Sequence, residues 1–233
     1  MAVGLQNIID NANALTIDRR KVVGIQITRN EIPRTSLTPT RQPWRFKLTM
    51  PSKLRYYNSR DLLEALDTID RYTPQTVTFG NNPCLSWIFR YQGELSSAQI
   101  LALTVSSFTG NQLVISGLPA LGGGITTNTV LFEPNDLIQI GTYTFPFTST
   151  TQVLRGVSST VTITTNRPNI LTGNLTGLGL TLGNACEFRL FCPNMPVYKL
   201  VPGGYVSNGS TTLNNAYIEF SDDFELYEWV GAA

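Results

Sequence analysis

The sequence predicts a mainly β protein: a first region of β-sheet with one covering helix, then an all-β module. Three observations lead there. Most apolar segments are short, β-branched or aromatic, and alternate with polar residues. One segment alone has strong helical periodicity. After Gly93 the composition shifts to Gly-, Thr- and Asn-rich turns at short intervals. A chain of 233 residues, 42% hydrophobic, is long enough to bury a sizeable core. Its charged content of 14% lies well below the usual quarter, as in a β protein whose surface is covered by neighbours.

The helical segment is "NSRDLLEALDTIDRYTPQ". Asn58 is placed to cap its first turn, with Asp61 three residues on in capping-box position. Leu62, Leu63, Leu66 and Ile69 make one apolar face, and Pro74 stops the helix. This predicts a helix near 59–72 laid over a sheet. A shorter candidate, "LQNIIDNA", offers Leu5, Ile8 and Ile9 as an apolar side. "RKVVGIQITR" reads as a strand, and so does the short "QTVTFG". "WRFKLTM" alternates strictly, with Trp44, Phe46 and Leu48 on one face and Arg45, Lys47 and Thr49 on the other. "CLSWIFRYQ" reads as a strand with Leu85, Trp87, Phe89 and Tyr91 on one side.

In the second region, "QILALTVSSFTGNQLVISGLP" predicts a hairpin turning near Thr109, Gly110 and Asn111. "ALGGGITTN" is a loop, expected to be mobile. "DLIQIG" and "STVTITT" are strands joined by a turn-rich ribbon, within a module of about five short strands. "EFRLFCP", "VYKLVPGG" and "AYIEFSDDFELYEWV" are further strands. The last of these, carrying Phe224, Leu226, Tyr227 and Trp229, is expected to return to the N-terminal sheet. The expected division is residues 1–93 and 185–233 as the core domain and 94–184 as the inserted domain.

The formal net charge is +1 but unevenly spread. Residues 1–93 hold thirteen Lys/Arg and seven Asp/Glu, a net +6, while residues 94–233 hold four and nine, a net −5. The split fits a nucleic-acid surface, a basic half meeting the acidic half of the next copy, or two solvated surfaces of no consequence. Cys84, Cys186 and Cys192 are an odd number in a chain that needs no staples, so reduced thiols are expected. The first residues lack a secretory pattern and no apolar run reaches membrane-spanning length. The expectation is a soluble protein made in a cytoplasm, in which the sequons "NLT" and "NGS" carry no meaning.

The sequence has no histidine, which excludes Ser-His-Asp and Cys-His arrangements. Gly122–Gly124 lacks the Lys-Ser/Thr of a phosphate loop, and no GxGxxG opens a helix. Three cysteines at irregular spacing suit zinc poorly. A carboxylate pair would have to come from Asp222, Asp223, Glu225 and Glu228, acids in a strand-like run where they read as a solvated face. Asp136 is a candidate cation ligand, though an Asp at a turn more often caps its own backbone. Arg19, Arg20 and Lys21, with Arg29, Arg34, Arg41 and Arg45, make a basic patch without exposed aromatics between the charges, so dedicated nucleic-acid binding is not expected. No enzyme activity, cofactor or metal is expected.

Three phrases, "WRFKLTMPSKLRYYNSRDLLEALDTIDRYTPQTVTF", "FEPNDLIQIGTYTFPFTSTTQVLRGVSSTVTITTNRP" and the closing "FELYEWV", together resemble virion structural proteins of tailed bacteriophages. The likeness is to small β-rich components of the tail-tube end and baseplate, of the tube-initiator or hub-adaptor type. It is one of sequence style across much of the chain rather than of a signature motif. The resemblance implies a β-barrel or β-sandwich core with one covering helix and an inserted all-β domain, and a ring on the tail axis, usually sixfold. The protein's place is then the virion tail, assembled in the host cytoplasm. Its partners are further copies of itself and other tail or baseplate proteins, with no membrane. In such a ring the expected contact residues are Arg19, Arg20 and Lys21 on one side and Asp222, Asp223 and Glu225 on the other. The alternative is a virion-surface β-module, residues 94–184, for receptor or carbohydrate recognition.

Overall fold

A computed structural model describes residues 4–19, 23–27, 33–37, 43–69, 71, 73–203 and 216–230. Among them the chain is mainly β, with eighteen short strands in six sheets or ribbons and three α-helices rather than one. The residues group into two compact units. The first contains the described residues within 1–18, 44–87 and 188–229, and the second those within 19–43, 88–187 and 230–233.

The first unit is built on a five-stranded sheet in the order Ala14–Asp18, Arg45–Thr49, Phe224–Glu228, Glu187–Asn194, Gln75–Thr78. The closing aromatic strand therefore sits at the centre, antiparallel to Arg45–Thr49 on one side and Glu187–Asn194 on the other. The strict alternation of "WRFKLTM" does what it predicts: Trp44, Phe46 and Leu48 are buried and Arg45 is exposed. Phe46 packs against Phe188 at 5.3 Å and Phe79 at 5.5 Å between ring centroids, with Trp44 at 6.3 Å. Edge-to-face and tilted aromatic pairs of this kind add to the area they bury. A smaller sheet, ordered Tyr198–Pro202, Ala216–Phe220, Leu54–Arg55, belongs to the same unit.

Helix α1, Gly4–Asn11, buries Leu5, Ile8 and Ile9 as the sequence predicts. Helix α2 spans Arg60–Thr68 and so ends about a turn before the expected 72. Ser59, not Asn58, is its N-cap, without a side-chain bond, because Asn58 is held in a preceding 3₁₀ turn, Tyr56–Asn58. The early stop has a local cause. Thr68 Oγ1 donates back to the carbonyls of Glu64 and Ala65, a pattern that weakens a helix, and Ile69 is extended at φ −68°, ψ 126°. The buried face is Leu62 and Ala65, with Leu63 and Leu66 only half-buried. It packs on α1, where a side chain at Gly4 would meet Ile69 Cγ1 at 2.9 Å and the Ala65 carbonyl at 3.1 Å.

"CLSWIFRYQ" is not a strand. Its residues turn through a 3₁₀ helix, Ser86–Phe89, which buries Leu85 and Phe89 but leaves Trp87 70% exposed. The buried side chain of Asn82 imposes this. Its Oδ1 accepts from the backbone N–H groups of Cys84 and Leu85, while Nδ2 donates to the carbonyls of Ile9 and Ala12. One amide thus starts the turn and closes the end of α1, using its full hydrogen-bonding capacity.

Residues 94–184, in the second unit, hold eight short strands rather than about five. Three sheets carry them: Phe147–Thr148, Leu137–Ile140, Leu180–Leu182; then Val153–Leu154 with Val130–Phe132; then Val161–Thr164, Gln112–Ser116, Thr104–Thr109. The hairpin Thr104–Thr109/Gln112–Ser116 turns on Gly110 and Asn111, with Gly110 at φ +55° as a tight two-residue turn requires. "ALGGGITTN" forms a tight turn in which Gly122 and Ile125 exchange backbone hydrogen bonds. Helix α3, Ser97–Ala102, takes up the first residues of "QILALTVSSFTGNQLVISGLP", so the hairpin begins only at Thr104. An antiparallel ribbon, Val23–Ile27 with Pro33–Leu37, also groups with this unit.

Candidate assembly surface

The outward side of the five-stranded sheet is set by the same alternation that fills the core. With Phe224 and Leu226 pointing inward, Glu225, Tyr227 and Trp229 point out; with Phe188, Leu190 and Cys192 inward, Arg189 and Phe191 point out. Register then aligns these side chains in rows. One row runs Asp18, Arg45, Tyr227, Phe191, and the next runs Thr16, Lys47, Glu225. In the first row the Arg45 guanidinium lies 5.3 Å from the centre of the Tyr227 ring, and Tyr227 lies 5.9 Å from Phe191. Trp229 stands edge-on to Phe191 at 5.9 Å and is 41% exposed.

The acids expected at an interface lie beside the second row. Asp222 and Asp223 occupy the turn by which the chain passes from the small sheet to the large one. Lys47 Nζ reaches Asp223 at 3.4 Å and Asp222 at 3.8 Å, and Glu225 is the cross-strand partner of Lys47. Ion pairs this exposed contribute about 0–1 kcal/mol, so the cluster is a charged rim more than a stabilising element. Of the basic residues, Arg20 and Lys21 lie outside the described residues. Arg19 donates to Asn135 Oδ1 at 3.3 Å within the second unit. The structure therefore brings Asp222, Asp223 and Glu225 together around Lys47, and ties Arg19 to Asn135.

Two of the run's carboxylates, Glu225 and Glu228, diverge. Glu225 faces out, whereas Glu228 is 2% exposed and its Oε2 accepts from the Trp44 backbone N–H at 3.0 Å. Asp136 is likewise spent on backbone. It is 2% exposed, and its two oxygens accept from the N–H groups of Gln92 at 3.0 Å and Glu133 at 2.8 Å. Burial pushes its pKa up against the opposite pull of those N–H donors. Among the described residues no group of three or more His, Cys, Asp or Glu is placed to hold a metal ion. The three cysteines are free thiols, and burial pushes the Cys192 thiol up to about 12. No described helix is long and apolar enough to cross a membrane.

The edges of the large sheet differ. At Gln75–Thr78 the side-chain amide of Gln6, on α1, accepts from the Thr78 N–H and donates to the Thr78 carbonyl, both at 2.9 Å. Leu5 N–H also donates to Gln75 Oε1 at 3.0 Å. The amide stands in for the peptide of a neighbouring strand and closes that edge. At the other edge, among the described residues, no strand pairs with the outer side of Ala14–Asp18, where Ala14 and Thr16 are exposed. The sequence reading found the acidic run but missed the aromatic row, which exists only once three strands distant in sequence are in register. No protein-family model matches the chain, and comparison with curated proteins gives no match.

Proposed function

We propose that this chain is a non-enzymatic structural component of a bacteriophage tail or baseplate. It forms a ring by self-association and joins the tail tube to neighbouring baseplate proteins. The sequence resemblance supplies the virion setting. The observation that carries self-association is the unequal treatment of the two sheet edges. Exposed edges invite pairing with another chain, and proteins ordinarily cover or blunt them. Here one edge is closed by Gln6, while among the described residues no strand pairs with the outer side of residues 14–17, which adjoin a charged rim. The net +6 and −5 halves of the sequence give a head-to-tail contact a means of steering.

Native mass spectrometry at near-physiological and then high salt tests this reading. The expected result is a closed oligomer that loosens as salt screens its charges. Reversing Arg19, Arg20 and Lys21 to Glu should weaken it, and reversing Asp222, Asp223 and Glu225 to Lys should do the same. A strict monomer at every concentration would remove self-association and bring the receptor- or carbohydrate-binding alternative forward.

A further inference from the structure

We propose that the outward side of the five-stranded sheet is the seat of a second copy of this chain, anchored on Trp229, Tyr227, Phe191 and Arg45. The proposal rests on the ring reading and names the contact within it. Charge clusters alone are poor anchors, because exposed ion pairs contribute little and salt screens them. Binding energy at protein interfaces is concentrated in a few Trp, Tyr and Arg side chains at the centre of the contact, with polar groups around them. This face has that composition in that arrangement. Arg45, Tyr227 and Phe191 are consecutive across one row, and Trp229 adjoins Phe191. Lys47, Asp222, Asp223 and Glu225 lie to one side as the rim.

The outer face of an antiparallel sheet that meets only water is ordinarily polar. Three aromatic rings on two adjacent strands break that pattern. They are also held in place before any partner arrives, Tyr227 between Arg45 and Phe191, and Trp229 against Phe191. Side chains already fixed lose little freedom on binding.

The occupant is argued from charge. The rim is net acidic, and the same chain carries the basic run Arg19-Arg20-Lys21 and a first region of net +6. A second copy thus brings the complementary sign. An acidic rim on one copy meeting a basic segment of the next is a heterologous contact, the kind that generates a ring when its rotation closes. Nucleic acid is disfavoured by the same acids.

The experiment is sedimentation equilibrium of the full chain and its Trp229→Ala and Arg45→Glu variants, with Thr162→Ala as a control on the second unit. The expected result is self-association by the wild type and the control. Trp229→Ala should weaken it about 30-fold or more, with an unchanged far-UV spectrum and thermal transition. Should Trp229→Ala misfold, the exposed Arg45→Glu carries the test alone, and Trp229→Phe should restore most of the affinity. An oligomer indifferent to Trp229→Ala and Arg45→Glu would overturn this surface and leave the ring reading standing. A wild type that stays monomeric would overturn both. A monomer whose tryptophan emission is quenched by a neutral oligosaccharide, and not after Trp229→Ala, would assign the face to sugar and overturn the proposal.

Discussion

The two units solve one problem, burying backbone without losing its hydrogen bonds, in different ways. In the first, most strands run five to eight residues and pair in long ladders that satisfy most of the main chain. Its interior can then be almost purely apolar and rich in aromatic rings. In the second, strands run two to six residues and much of the buried chain is loop. Side chains must do what ladders cannot. Of the eleven buried polar or charged residues described, eight belong to the second unit. Arg155 donates to the carbonyls of Pro119, Gly156 and Ser158. Arg167 donates to the Pro146 carbonyl and stacks 3.4 Å above the Phe145 ring. Thr165 Oγ1 bridges to Asn111 and Arg167 carbonyls, and Gln139 Oε1 takes the Glu187 N–H. The difference shows in where the few charges of residues 94–184 sit: both arginines of that stretch, Arg155 and Arg167, are inside.

If that contrast is right, truncating a ring should harm the first unit most. Phe46→Ala removes a fully buried ring in contact with Phe79, Phe188 and Trp44, at a cost of about 4 kcal/mol. Hydrogen exchange should show the lost protection concentrated in Arg45–Thr49 and the strands beside it. Protection lost equally from both units would break the distinction.

The second unit should instead be most sensitive at its polar caps. Asp136→Ala leaves the part-buried Gln92 and Glu133 N–H groups without their acceptor, a loss of about 2 kcal/mol by denaturant titration. The pH dependence sharpens the point. Burial raises the Asp136 pKa above its ordinary 3.8, so the fold favours the protonated carboxyl. Its contribution is full below 3.8 and declines as pH rises through the raised value. Relative to Asp136→Asn, which does not titrate, the wild type should lose stability across that window. A gap between the two that stays constant with pH would mean that the backbone donors hold the carboxyl at its ordinary value.

Legibility followed the same divide. Alternation named the buried faces of "WRFKLTM", and periodicity named Leu5, Ile8 and Ile9, because in each case neighbours in sequence decide burial. "CLSWIFRYQ" alternates as well and is no strand, since Asn82 reaches 70 and 73 residues back to Ala12 and Ile9. A pattern cannot show that competing bond. Apolar periodicity carries α2 past its end at Thr68, because it does not weigh the branched, helix-weakening side chains of Thr68 and Ile69. The candidate surface was legible only as its acids. Its aromatic row depends on residues 45, 191 and 227 meeting in register, and no local signal gives the register of strands so far apart.

Helix α3 offers the smallest and most local test. "SSAQI" contains the capping-box pattern, Ser96 followed three residues later by Gln99, and both reciprocal bonds are present: Gln99 N–H to Ser96 Oγ, and Ser96 N–H to Gln99 Oε1 at 2.8 Å. A helix of six residues with no fully buried side chain gains little from packing, so its ends must hold it. Ser96→Ala should therefore cost about 1 kcal/mol, with faster exchange confined to residues 97–103. An equal effect from Leu101→Ala, whose side chain is 80% exposed, would show packing rather than capping at work, and would make this helix the exception to the rule that side-chain-to-backbone bonds organise the second unit.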